Sequence, residues 1–435
     1  MATNSSRRDE SEPRLRLVAM TRSAPASNPA AYGPQSTVGL FAGIGGLELG
    51  LARCGHETGL LCEIDNAASA VLTSRFGGIP CVPDVRNIER LPESCELLVG
   101  GFPCQDLSQA GRTEGIHGDS SGIVFEVFRL ISNKSRRPRW ILLENVSFML
   151  RLGRGRALEV IIAELERNGY RWAYRVVNSM SFGVPQRRER VFLLASLDAD
   201  PRMVLFADEH GSGPEEHPDP DRPFGFYWTE GTRGLGTAVD SIPTLKGGST
   251  VGIPSPPAVL MPDGRVVTPS IQDAERLQGF APDWTKPAEL VARSSHRWKL
   301  VGNAVTVPVA EWIGGRLCNP GDYDFSWDPT IGAGSPWPRA AWNLGFGRHA
   351  ATRVSDYPLA TPRASIAQFL LDPSTLSAKA TAGFLARLRS GRLRRPAWFE
   401  ARLAAHLARE VASTDDLPRE RDRQQRTQRR NKKLA

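Results

Sequence analysis

The apolar positions of this chain fall in short runs that stop abruptly at glycine or at acidic residues, and its polar chemistry gathers at those stops. Ser36 to Ala42 (STVGLFA) is an apolar run of strand length that ends in Gly43-Ile44-Gly45-Gly46, after which Leu47, Leu49 and Leu51 begin a helical stretch. The pattern predicts strand, glycine turn, helix. Thr58 to Cys62 predicts a second strand ending in Glu63-Ile64-Asp65, Asn66 to Phe76 a helix, and Pro83-Asp84-Val85 a further acidic strand end. Glu96 to Gly100 predicts a buried strand that runs into the polar turn GFPCQDLS, Gly101 to Ser108. Phe125, Phe128 and Ile131 mark a helix before the strand Trp140 to Leu143, which meets Glu144-Asn145-Val146. Ala157 to Asn168 reads as an amphipathic helix and Tyr170 to Val177 as a strand, and Phe182 to Arg190 (FGVPQRRER) leads into the apolar run Val191 to Ala195. Strands alternating with helices in this way predict an α/β fold with a parallel sheet.

The second half is less regular. Pro and Gly are frequent from Leu197 to Ser270 and the periodicity is weak, so no further sheet layer is expected there. Asn319 to about Ser365 reads as loop, Ala378 to Leu388 and Ala397 to Val411 as helices, and Pro418 onward as a disordered basic tail. Residues 1–35 read as a disordered leader, because they lack the apolar centre of a signal peptide.

Composition adds bounds. A chain of 435 residues predicts two or three domains, and no apolar run approaches the roughly 20 residues of a membrane span. The six cysteines (54, 62, 81, 95, 104 and 318) form no CxxC pair and stand beside no histidine cluster, which favours reduced thiols in the cytosol and no metal site. The net charge of +8 suggests a polyanionic partner, but from Gly391 to Ala435 there are 13 Arg or Lys against 6 Asp or Glu, so most of the excess is in the tail.

In an open parallel sheet, ligands bind at the carboxyl ends of the strands. The glycine turn permits positive φ and close approach of a ligand to the backbone, and Glu63, about 20 residues on, can accept hydrogen bonds from ribose hydroxyls. Both features suit a dinucleotide such as NAD equally well. Cys104, just past a strand end, is a candidate nucleophile. The polar loop Gln109 to Ser121 has a length that suits closure over a substrate. Glu144 follows four apolar residues, so desolvation should raise its pKa. Arg187, Arg188 and Arg190 read either as a solvated charge run or as groups that hold a base carbonyl or a phosphate.

Taken in order, FAGIGG, Glu63, Asp84, GFPCQDLS, ENV and QRRER, then Glu275 to Phe280 (ERLQGF) and Val301 to Val305 (VGNAV), resemble the DNA cytosine-5 methyltransferase family. The resemblance covers about Val38 to Arg316. It implies an S-adenosylmethionine-dependent methyltransferase (Rossmann-like) sheet with helices on both faces, a small irregular target-recognition lobe and a C-terminal extension. The implied divisions are a leader (1–35), a catalytic and cofactor-binding domain (36–196), the recognition lobe (197–270), a return segment that completes the catalytic domain (271–317), an extension of unknown role (318–417) and the tail (418–435). S-adenosylmethionine is expected on Phe41, Glu63, Ile64, Asp84, Pro103, Asn303 and Val305, with the turn glycines Gly43, Gly45 and Gly46 and with Val85; Glu63 takes the ribose and Asp84 the adenine. Cys104 matches the nucleophile, Glu144 the acid that holds the target cytosine, and Arg188 and Arg190 the base-handling arginines. Gln105, Ser108, Thr244 and Leu245 are expected on the DNA side. A monomer acting on double-stranded DNA in the cytoplasm, off the membrane and in company with a restriction or defence protein, completes the expectation. Ile64, where an aromatic residue often stacks, and Ala281, where proline is common, depart from the pattern. An NAD oxidoreductase would leave ENV and QRRER unexplained, the long variable lobe argues against an RNA substrate, and the intact Cys104 and Glu144 argue against an inactive relative.

Overall fold

The computed structural model describes residues 32–102, 122–213, 217–232, 234–247 and 254–413. Five parallel strands form one half of a nine-stranded sheet: β1 (Ser36–Leu40), β2 (Glu57–Cys62), β3 (Cys81–Val82), β4 (Leu97–Gly101) and β5 (Trp140–Val146), in the order β3-β2-β1-β4-β5. The order reverses at β1, which has β2 on one side and β4 on the other, and this switch point opens a crevice at the strands' carboxyl ends. The other half is antiparallel. There β6 (Arg171–Asn178), β8 (Glu189–Ser196), β14 (Ala340–Asn343) and β15 (His349–Ala350) extend the sheet as β5-β8-β6-β14-β15.

Side chains alternate across β4, so Leu98 joins one core layer and Leu97 and Val99 the other. On the first face lie α3 (Val124–Ser132) and α4 (Arg156–Arg167), which contribute Val127, Ile131, Leu158 and Ile162. On the second lie α1 (Gly46–Ala52) and α8 (Val307–Cys318), with Leu47, Leu51, Val309 and Ile313. Each such buried Leu, Ile or Val contributes about 1.5–3 kcal/mol. Helices thus cover both faces of the sheet, as the family resemblance implies. The segment after the lobe, α6 (Ile271–Leu277), α7 (His296–Asn303) and α8, returns to the sheet. Gly50 makes its docking close: a Cβ at that position would lie 2.5 Å from Ala310 Cβ and 2.6 Å from the Val307 carbonyl oxygen. Among the described residues no helix is long and apolar enough to cross a membrane.

Three expectations need correction. Residues 319–365 are more than loop, because β14 pairs along the edge of β6, with Ala341 opposite Tyr174, while Trp342 is buried. The stretch from Leu197 to Ser270 does contain a sheet layer, built from β9 (Phe224–Phe226), β10 (Ala238–Val239), β12 (Ala258–Leu260) and β13 (Val266–Thr268) in the order β10-β9-β12-β13. Its strands are two or three residues long, too short to show a period. A further strand, β16 (Ser374–Thr375), adds to β13 from the C-terminal extension. Finally, residues 32–35, expected within the leader, are packed against the fold: Tyr32 lies edge-on to Trp140 with ring centroids 5.0 Å apart, and Gln35 is buried.

Candidate active site

The crevice at the switch point is a cavity of about 360 Å³, within the usual range of small-molecule sites. Its lining includes Phe41, Gly43, Gly46, Glu63, Ile64, Asp65, Asp84, Val85, Gly101, Glu144, Lys299, Asn303 and Val305. The sequence rule that placed chemistry at strand ends therefore brings together residues from the ends of five strands and from α7.

At one end the turn after β1 carries the backbone into the left-handed region at Phe41 (φ 53), Gly43 (φ 57) and Gly45 (φ 83). Gly43 donates its N–H to Glu63 Oε2 (2.7 Å) and Asp65 donates to Oε1 (2.8 Å), which fixes the carboxylate at the end of β2. Burial pushes the Glu63 carboxyl upward, and these two N–H donors offset part of that rise. Each oxygen keeps a lone pair for a ligand hydroxyl. Gly45 plays a different part from the one expected. It does not line the cavity, and a side chain there would strike Phe76, 2.3 Å from its Cβ. Ile64 is 67% exposed at the rim. Asp84 lines the cavity as expected, but its carboxylate is forked by Arg86 (Nε at 3.0 Å, Nη2 at 2.6 Å), and this pairing holds it below the ordinary Asp range.

Lys299 is a lining residue that the motif reading missed. It stands four residues before Asn303 on α7, hence on the same helical face, and its Nζ lies 2.9 Å from Asp65 Oδ2. His296 approaches the same oxygen at 3.1 Å. Burial alone would raise Asp65, yet Lys299, the Ala68 N–H and His296 outweigh it and keep the carboxyl low. The helical spacing from Asn303 was the signal available in the sequence.

At the other end, Glu144 lies within β5 rather than beyond it, opposite Gly101 of β4. A Cβ at Gly101 would lie 3.2 Å from Glu144 Oε2, so the glycine leaves the carboxyl room. Glu144 is buried, which pushes its pKa up against the pull of Arg190 and, more weakly, Arg188. Arg190 Nε is 3.0 Å from Glu144 Oε1, yet that oxygen has no aligned donor. Among the described residues the contact is therefore a charge pairing rather than a linear hydrogen bond, at a buried oxygen. Asn145 donates from Nδ2 to the Phe102 carbonyl at 3.0 Å, pinning the exit of β4. Pro103, Cys104, Gln105 and Ser108 lie outside the described residues.

Arg188 requires a correction. It is 2% exposed and donates to the carbonyls of Leu245 (3.2 Å), Gly302 (3.1 Å) and Ala304 (2.7 Å), so its Nη groups tie three chain segments together instead of facing the cavity. Burial and the neighbouring Arg190 lower its pKa, with Glu144 opposing. Thr244 and Leu245 are also turned inward. Thr244 Oγ1 donates to the Arg187 carbonyl (2.8 Å), and Leu245 is a buried core residue whose N–H goes to Gln186 Oε1 (2.9 Å). These bonds, with the pairing of β11 (Ile242–Pro243) to β7 (Gln186–Arg187), fasten the lobe to the QRRER segment. The Leu245 side chain is thus committed to the core, while Thr244 is only part-buried.

Among the described residues, no group of His, Cys, Asp and Glu is arranged to hold a metal ion. What the cavity offers is an ordered carboxylate at one end, a buried carboxyl with a cationic neighbour at the other, and an apolar wall of Phe41, Leu47, Val85 and Val305 between them.

Residues 36–223 match the family described as C-5 cytosine-specific DNA methylase. The chain is 47% identical over 361 residues to the Type II methyltransferase M2.BsuMI of Bacillus subtilis (strain 168), covering 80% of this chain and 92% of that protein. It is 31% identical over 312 residues to the Type II methyltransferase M.Bsp6I of Bacillus sp. (strain RFL6), covering 63% of this chain and 95% of the relative. The likeness to M2.BsuMI covers more than Val38 to Arg316, so it takes in part of what the motifs left unassigned. Among solved structures, the S. pombe Dnmt2 methyltransferase superposes with a TM-score of 0.49 at 17% identity, over 65% of this chain and 98% of that one. With 92% of a relative's length matched at 47% identity, the chain belongs to the C-5 cytosine-specific DNA methylase family.

Proposed function

We propose that this chain methylates C5 of a cytosine flipped out of double-stranded DNA, within one short sequence, and that Cys104 forms a transient bond to C6 of that base. The observation that carries this reading is the single cavity that has Glu63 at one end and Glu144 beside Gly101 at the other. S-adenosylmethionine fits the first end by the chemistry of its groups: Glu63 keeps lone pairs for ribose hydroxyls, and Phe41, Val85 and Val305 supply apolar contact. Bound there, it would supply an electrophilic methyl group. Asp65, Asp84, Lys299 and Asn303 add polar groups to the same cavity.

The chain's own residues must then make a poor nucleophile reactive. Addition of the Cys104 thiolate to C6 turns C5 into an enamine-like carbon, and the negative charge must be quenched at N3. An ordinary cysteine of pKa about 8.5 is only about 3% thiolate at pH 7, so the reaction needs an environment that favours the thiolate. Glu144 is the group for N3. Holding a Glu protonated near pH 7 requires a bias of roughly 4 kcal/mol, and burial acts in that direction. Arg190, paired with Glu144, sets the carboxyl against the base, and Arg188 positions the segment that carries Arg190. After C5 is substituted, loss of its proton and departure of Cys104 by β-elimination restore the ring. Flipping the base costs a few kcal/mol, which contacts from the lobe offset.

The likeness to Type II methyltransferases supports a restriction-modification setting with a cognate endonuclease. A monomer working in the cytoplasm, where bacterial DNA lies, is part of the same reading. The test is covalent capture. Duplex DNA carrying 5-fluorocytosine at the methylated position should trap the full-length chain as an adduct that survives denaturation, because fluorine cannot leave as a proton does, and Cys104→Ser should lose both adduct and methyl transfer while still binding DNA. Bisulfite sequencing of DNA from expressing cells should show one short sequence context. Turnover at the parental rate by Cys104→Ser would refute the mechanism.

A further inference from the structure

The C-terminal extension is built into the recognition lobe. β16 pairs with β13 (Val267 opposite Thr375), and two helices, α10 (Ala378–Ser390) and 397–413, close the lobe's core. In that core Phe226 stacks on Phe384 (5.0 Å between centroids), and Phe399 meets Phe224 (5.2 Å) and Phe226 (5.0 Å) edge-on. A six-residue turn, Gly391 to Pro396, joins the two helices. Both of its ends are fixed: Gly391 N–H donates to the Arg387 carbonyl (3.0 Å), and Glu400 accepts from Arg389 and Arg395 (each 2.8 Å). Leu393 packs inward against the aromatic core, and the residues flanking it, Arg392 and Arg394, are exposed. Neither has an ion pair or hydrogen bond among the described residues.

That separates them from their neighbours. Arg387, Arg389, Arg395, Arg402 and Arg409 all spend their guanidinium groups on carboxylates or carbonyls of the protein. The turn also has a defined place. Arg387 donates to the carbonyls of Trp228 (2.8 Å) and Glu230 (3.0 Å), and a Cβ at Gly391 would lie 2.7 Å from the Gly231 carbonyl oxygen. Residues 227–231 in turn reach the active-site side of the lobe, since Tyr227 donates to the Thr244 carbonyl (2.7 Å) and Thr244 to that of Arg187. An anchored turn on the lobe edge that meets QRRER thus presents two unspent arginines.

We propose that Arg392 and Arg394 contact DNA phosphates, so that the extension supplies part of the DNA-binding surface. This rests on the reading of the protein as a DNA methyltransferase. Unspent guanidinium groups on a rigid turn suit phosphate oxygens, and each phosphate neutralised steepens the salt dependence of binding by about 0.9 in log–log slope.

The test uses the full chain with Arg392→Gln/Arg394→Gln, titrated from about 50 to 200 mM salt against a duplex holding the methylated sequence and one lacking it. Binding should weaken by a similar factor on both duplexes, the slope should flatten by up to about two, and the methylated sequence should stay the same. Arg392→Lys/Arg394→Lys should restore most of the slope. Titrations that overlay for parent and Gln variant, or a changed methylation sequence, would overturn the assignment. Methyl transfer by the parent is assayed alongside; its absence would strike the enzymatic reading, not the comparison of slopes.

Discussion

Two buried carboxyls show how environment separates chemistry from strain at the scale of one residue. Glu144 and Glu48 are both buried and both raised by desolvation. Glu144 opens on the cavity beside Gly101 and has Arg190 for a neighbour, so its raised pKa can serve a base. Glu48, on α1, is 1% exposed, and neither of its oxygens has a hydrogen-bond partner among the described residues. Burial, with a smaller push from Glu63, moves it from 4.5 to about 7. The folded chain therefore holds this proton more tightly than the unfolded chain. The corresponding stability is fully present below pH 4.5 and is lost as pH rises through about 7. Glu48→Gln keeps the shape and cannot ionise, so its stability relative to the parent should improve by about 3 kcal/mol between pH 4.5 and 8. Denaturant melts of both proteins across that range would check it; a difference that stays constant with pH would mean that Glu48 does not titrate there.

At the scale of elements, the crossing of α1 and α8 decides whether the return segment reaches the cavity. Gly50 faces backbone and Ala310 at contact distances that no side chain tolerates. α8 starts two residues after Val305, which lines the cavity. Overpacking of about 1–3 kcal/mol set against the roughly 1 kcal/mol gained in helix propensity should leave Gly50→Ala less stable by up to about 2 kcal/mol and weaken S-adenosylmethionine binding. A variant as stable as the parent by chemical denaturation would show that the crossing yields. The elements around the cavity were legible in the sequence because each is local: an apolar run, a glycine turn or acidic end, then a helix. Glu63 and Glu144 could be read off in this way. Arg188 could not, because its carbonyl partners at Leu245, Gly302 and Ala304 belong to distant parts of the chain. β14 was hidden for a similar reason, since Ala340–Asn343 becomes a strand only by pairing with the exposed edge of β6.

At the scale of the whole molecule, the lobe proposed to read DNA is assembled from two stretches of chain separated by residues 271–318. Its first stretch supplies four short strands, and the second supplies an edge strand and two helices. Strands of two or three residues cannot hold together alone, so the aromatic core shared between the stretches is the lobe's main source of stability. Phe399, fully buried among Phe224, Phe226, Phe384 and Trp398, is at its centre. Phe399→Ala should cost about 3–5 kcal/mol, and the cost should fall on the lobe, since the catalytic sheet has separate core layers. S-adenosylmethionine affinity measured by calorimetry should stay within about threefold of the parent, a difference of less than 1 kcal/mol, while binding to the methylated sequence should be lost. Hydrogen exchange should show β9 and β12 exposed and β4 and β5 protected. Equal loss of protection in both sheets would show that the lobe and the nine-stranded sheet fold as one unit, with residues 366–413 a strap on the whole protein rather than half of the lobe.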